Sequence, residues 1–69
     1  MDKIKKQIAV KIRDYAAQVS LTQADIAELT NTTQPRVSRL FNLKVERFTL
    51  DSLFKMLQNL DIETTLTFT

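Results

Sequence analysis

From Asp2 to Val19 the apolar residues Ile4, Ile8, Ile12, Tyr15, Ala16 and Val19 recur at the spacing of one helix face. The period predicts a long amphipathic first helix, near 3–19. Its basic residues Lys3, Lys5, Lys6, Lys11 and Arg13 fall mostly on the solvated faces, and Val10 lies off the stripe. A short second helix is predicted near 22–29, with Ile26, Ala27 and Leu29 inward. Thr22 is placed to cap it, and Asp25 three residues later completes a capping box. Thr30 and Asn31 end it, because asparagine tolerates the left-handed backbone that closes a helix. Asn31, Asn42 and Asp61 are the predicted corner residues.

Thr33 is the next expected cap, and Pro35 falls in the first turn that follows, where its missing N–H is not needed. The third helix should run near 33–41, turning Val37, Leu40 and Phe41 inward and leaving Gln34, Arg36, Ser38 and Arg39 to face out. Residues 42–47 read as a polar loop. Phe48 ahead of the cap Thr49, with Leu53 four residues beyond the cap, forms a hydrophobic staple. The helix it opens, near 50–59, should bury Leu50, Leu53, Phe54, Leu57 and Leu60. After it the period drops to two, with Ile62, Thr64, Leu66 and Phe68 on one face, which predicts a strand near 62–68. The chain offers that strand no second one, so either the tail frays or its backbone groups pair with those of another copy.

Sixty-nine residues, 43% hydrophobic and 26% charged, describe a small globular domain rather than a disordered chain. Cysteine and histidine are absent. Disulfides, thiolate and imidazole metal sites, cysteine nucleophiles and the Ser-His-Asp triad are thereby excluded. Glycine is absent too, which removes the loops that bring backbone amides up to a nucleotide phosphate. No cofactor is expected. No apolar run approaches the roughly 20 residues that cross a bilayer, and the first residues hold no signal-peptide core. A cytoplasmic protein with no membrane partner is the expectation.

The net charge of +2 is unevenly spread. Residues 1–20 carry five basic side chains against Asp2 and Asp14, and residues 33–47 carry Arg36, Arg39, Lys44 and Arg47 against Glu46. The segments 21–32 and 48–69 are acidic. Two positive blocks fit a polyanionic partner and, on charge alone, equally fit two solvated helix faces.

The segment LTQADIAELTNTTQPRVSRLF, Leu21 to Phe41, resembles the helix-turn-helix of the XRE (lambda-repressor-like) family. Gln23 stands where that motif opens, Ile26 at its buried aliphatic position, Ala27 where its two helices cross, and Val37 and Leu40 at the inward positions of the second helix. Helices that cross steeply through a short turn need a small side chain at closest approach, and Ala27 supplies it. The wider pattern, residues 33–40 with Lys44 and then Phe48-Thr49-Leu50-Asp51-Ser52-Leu53, resembles the compact subgroup that includes HigA-like antitoxins. Three departures stand out. Asn31 and Asp61 occupy customary glycine positions, and Thr30 and Thr32 replace aliphatics, from which a looser turn is expected.

The resemblance implies an all-α fold, a lambda-repressor-like bundle of four helices. A single domain over 1–69 would hold the helix-turn-helix at 22–41 and a terminal dimerisation strand at 62–68. It also implies a sequence-specific transcriptional regulator that binds double-stranded DNA as a homodimer on a palindromic operator. An autorepressing antitoxin paired with a ribonuclease toxin, or a phage-type repressor, is the setting that fits. The second helix of such a motif enters the major groove N-terminus first. Thr33, Gln34 and Arg36 would then lie nearest the base edges, with Ser38 and Arg39 along the groove. Gln23 would hold phosphate and brace Gln34, and Lys44 and Arg47 would contact phosphate. Ile62, Thr64, Leu66 and Phe68 would join the two copies. The competing reading keeps the fold without DNA binding, as a protein-interaction module docked through the tail or the Val10 side of the first helix. An enzyme is not expected, since the carboxylates form no acid-base pair.

Overall fold

A computed structural model describes residues 2–62 and places four helices there: α1 (Asp2–Gln18), α2 (Gln23–Leu29), α3 (Gln34–Phe41) and α4 (Leu50–Asn59). The starts of α2 and α4 follow from capping chemistry. Thr22 Oγ1 accepts from the Asp25 N–H at 3.1 Å while the Asp25 carboxylate accepts from the Thr22 N–H at 3.0 Å, a reciprocal capping box. Thr49 Oγ1 accepts from the Ser52 N–H at 3.1 Å, and both staple residues, Phe48 and Leu53, are buried.

The core is one cluster in which Ile8, Ile12, Ile26, Val37, Leu40, Val45, Leu53 and Leu57 are fully enclosed. α1 packs on both α3 and α4, and α2 packs on α3. Contact on two sides widens the buried sector of α1, so Ala9 is enclosed beside the expected Ile8, Ile12 and Ala16. Val19 and Leu29, both expected inside, are instead 47% and 51% exposed. Val19 sits beyond the last helical residue of α1. On α2 the inner position belongs to Thr30, which lies about 40° from Ile26 around the axis whereas Leu29 lies about 60° to the other side. Leu50 and Phe54 are half-buried, and Met56 takes a core place that the leucine stripe did not predict.

The turn between α2 and α3 replaces apolar packing with hydrogen bonds. Thr30, 6% exposed, donates its hydroxyl to the Ile26 carbonyl at 2.6 Å. The Thr32 hydroxyl lies 2.9 Å from Thr30 Oγ1 and 3.1 Å from the Thr30 carbonyl. Among the described residues no buried side-chain polar atom lacks a partner. The threonines therefore satisfy this turn locally, which is how it dispenses with the aliphatics whose absence predicted looseness.

All four helices end alike. Ser20, Asn31, Leu43 and Asp61 have φ of 59°, 55°, 61° and 55°, the left-handed region that glycine usually fills. The next residue then reaches back across the last turn: Leu21 N–H to Ala16 O (2.8 Å), Thr32 to Ala27 (2.8 Å), Lys44 to Arg39 (2.9 Å) and Ile62 to Leu57 (3.0 Å). These are Schellman closures. Asn31 and Asp61 are corners as expected, but Asn42 is not. Its φ is −90°, and its side chain donates to the Ser38 carbonyl at 2.9 Å while Leu43 makes the corner.

Ile62, the first residue of the expected strand, completes the closure of α4 and packs half-buried against the core. Thr64, Leu66 and Phe68 lie outside the described residues, where the rest of that strand falls, and the described residues hold no strand.

Candidate nucleic-acid interface

An eight-residue helix is far below the length at which isolated helices persist, so α3 is held by what surrounds it. Val37 and Leu40 are fully enclosed, and Ala27 of α2 is buried with them. From α1, Arg13 Nη1 donates to the Phe41 carbonyl at 3.2 Å, satisfying one of the acceptors left open at the C-terminus of α3. Arg13 therefore braces α3 rather than serving only as a solvated charge. Its partner is 28 positions away, and no local pattern could have shown it.

With successive residues about 100° apart on a helix, Gln34 and Ser38 share one flank of α3 and Arg36 lies on the other. Pro35 and Arg39 are opposite the buried side. Thr33, Gln34, Pro35, Arg36 and Arg39 are exposed, and Ser38 is half-buried. Thr33 is the N-cap residue, yet its side chain makes no capping bond, so its hydroxyl is left for a partner outside the fold. The first turn of α3 holds no acid, which keeps the positive end of the helix dipole unopposed. Gln23 is half-buried at the first position of α2, directly after the N-cap Thr22.

The loop after α3 brings two further cations to this side. Arg39, Lys44 and Arg47 line one shallow depression together with Glu46. What keeps the loop in place is Val45, fully enclosed between two charged neighbours. The Phe48 N–H to Val45 O bond (3.0 Å) then turns the chain toward α4. Residues 42–47 read as a polar loop because Val45 stands among lysine, glutamate and arginine, with no helical repeat to mark it as buried.

Arg36 is engaged differently. Its guanidinium carbon lies 4.8 Å from the centre of the Phe48 ring, a cation–π contact across from α3 to the residue that opens α4. The structure thus brings Arg39, Lys44 and Arg47 together, sets Gln34 and Ser38 along one flank, and turns Arg36 toward α4.

Among the described residues no group of three or more acidic residues converges as a metal site would require, and no helix is long and apolar enough to cross a membrane. No curated protein and no solved structure matches the chain. A family model described as a helix-turn-helix domain matches residues 2–67, a span that includes all four helices and the positive face just described. The chain belongs to this helix-turn-helix domain family, and that membership points to a DNA-binding regulator.

Proposed function

We propose that this protein is a sequence-specific transcriptional regulator that binds a palindromic operator as a homodimer through α3. One observation carries the reading: the exposed side of a helix-turn-helix presents Thr33, Gln34 and Arg39 beside Lys44 and Arg47, with Glu46 the one acid in the segment. Thr33, Gln34, Ser38 and Arg39 face the base edges in this proposal. A glutamine amide suits adenine N6 and N7, and an arginine fork suits guanine O6 and N7. Gln23, Lys44 and Arg47 hold the backbone. Arg36 is shared with Phe48 and serves the flank of the groove.

One short helix reads too few base pairs for specificity, so two copies must stand roughly 34 Å apart, one turn of DNA. The tail that follows Ile62 joins them in this proposal, with Thr64, Leu66 and Phe68 pairing antiparallel about the two-fold axis. Autorepression fits such a domain, either as an antitoxin whose ribonuclease partner docks elsewhere on its surface or as a phage-type repressor.

The test is selection of bound sequences from a randomised duplex pool by the full chain, followed by mass measurement in solution. Enrichment of an inverted repeat and a dimeric mass support the reading. A pool that stays random overturns it in favour of an interaction module. A chain ending at Ile62, which keeps the closure of α4, separates the two halves of the proposal: a truncated protein that stays dimeric excludes the tail as the joint.

A further inference from the structure

Lys55 is the one basic side chain in residues 48–69, against Asp51, Asp61 and Glu63, and the operator reading gives it no part. It is exposed on α4 and lines, together with Arg36 of α3, a depression of about 280 Å³ between the α2–α3 turn and α4. Phe48 and Met56, both buried, form the apolar floor, and Thr32, Ser52 and Asn59 contribute polar edges. No carboxylate lines it. Neither cation has an ion pair among the described residues, and no hydrogen bond there occupies the Ser52 hydroxyl or the Asn59 amide.

We propose that Arg36 and Lys55 form a binding site for a phosphate group. The Arg36 guanidinium carbon lies 4.8 Å from the centre of the Phe48 ring, so the ring confines the arginine head by a cation–π contact while its N–H donors enter no ion pair among the described residues. Phe48 is 3% exposed, so its ring is held in the core and offers Arg36 a packed surface to rest on. A planar fork suits two oxygens of a phosphate, and a lysine ammonium supplies a second point charge.

Resting on the operator reading, the occupant is a backbone phosphate of the bound duplex. Arg36 lies on the flank of α3, and a strand that walls the major groove runs along the flank of a helix seated in it. A free phosphorylated small molecule offers the same chemistry, and the experiment separates the two.

Inorganic phosphate is titrated into the full chain at constant ionic strength while backbone amide resonances are followed. The Thr32, Ser52 and Asn59 signals should shift saturably. Lys55→Gln should abolish the response, and so should Arg36→Lys, which keeps the charge but loses the planar fork. Thermal melting checks that both variants stay folded. In parallel, the salt dependence of binding to a random-sequence duplex should become shallower by about one ion in Lys55→Gln. No saturable phosphate response in the wild-type chain overturns the site. A saturable response with an unchanged salt slope confirms the site and refutes DNA as its occupant in favour of a free phosphorylated ligand. A wild-type chain that binds no duplex overturns the operator reading alone, and the phosphate titration still decides the site.

Discussion

α1 runs for 17 residues and buries Ile8, Ala9, Ile12 and Ala16, whereas α3 runs for eight and fully buries Val37 and Leu40. The longer helix exceeds the length at which helices become marginal on their own, and the shorter one falls well under it. α3 owes its existence to α1, α2 and the Arg13 contact at its end. Division of labour follows: because neighbours hold α3 by two side chains and one carbonyl, its remaining surface is available for recognition. Stability and recognition should therefore be separable by single substitutions.

The largest expected effect is on the inward side of α3. Leu40→Ala removes a fully enclosed side chain and should cost about 2–5 kcal/mol. In a domain of this size that lowers the melting temperature by roughly 10 °C or more, read by circular dichroism. On the outward side, Gln34→Ala and Arg39→Ala should each lose about 1–3 kcal/mol of affinity for the selected operator, measured by titration. Their stability should stay within about 0.5 kcal/mol of wild type. A Gln34→Ala protein that melts as early as Leu40→Ala would break the division between the two sides.

Smaller effects sharpen the contrast. Lys44→Ala should weaken binding to every duplex alike and flatten its salt dependence by about one ion, because in the proposed complex it meets phosphate and not bases. Arg13→Ala, made on α1, should cost about 0.5–1.5 kcal/mol by leaving the Phe41 carbonyl to water. Its signature is faster amide hydrogen exchange confined to the last turn of α3. Exchange that quickens equally throughout α1 would show that the contact supports the whole bundle and not α3.

The helices were legible in the sequence because their starts are written locally. Thr22 with Asp25, Thr33 with Pro35, and Phe48 with Thr49 and Leu53 each place a boundary within a few residues, and the structure puts those starts where these groups stand. The positive character of residues 33–47 was equally visible. What escaped depends on partners distant in sequence or on features that periodicity blurs. Leu29 stands three residues after Ile26, a spacing that suits one helix face, but Thr30 fills that place by bonding its hydroxyl to the Ile26 carbonyl. Val45 was hidden among charges. Asn42 seemed the natural corner, yet its amide is drawn back to the Ser38 carbonyl and the left-handed turn passes to Leu43. The cation–π contact of Arg36 with Phe48 joins two elements across a loop, so no spacing rule could reveal it.

The four helix ends carry a consequence for the unfolded chain. A glycine at Ser20, Asn31, Leu43 or Asp61 would adopt positive φ without penalty, while an ordinary L-residue there costs roughly 1–2 kcal/mol, less for asparagine and aspartate. Glycine, however, is the residue that loses most backbone freedom on folding, by up to about 1 kcal/mol relative to residues with a β-carbon. A chain without it starts from a narrower ensemble of unfolded conformations. Part of what the corners forfeit as native-state geometry is thereby recovered as entropy that the unfolded chain never had to lose.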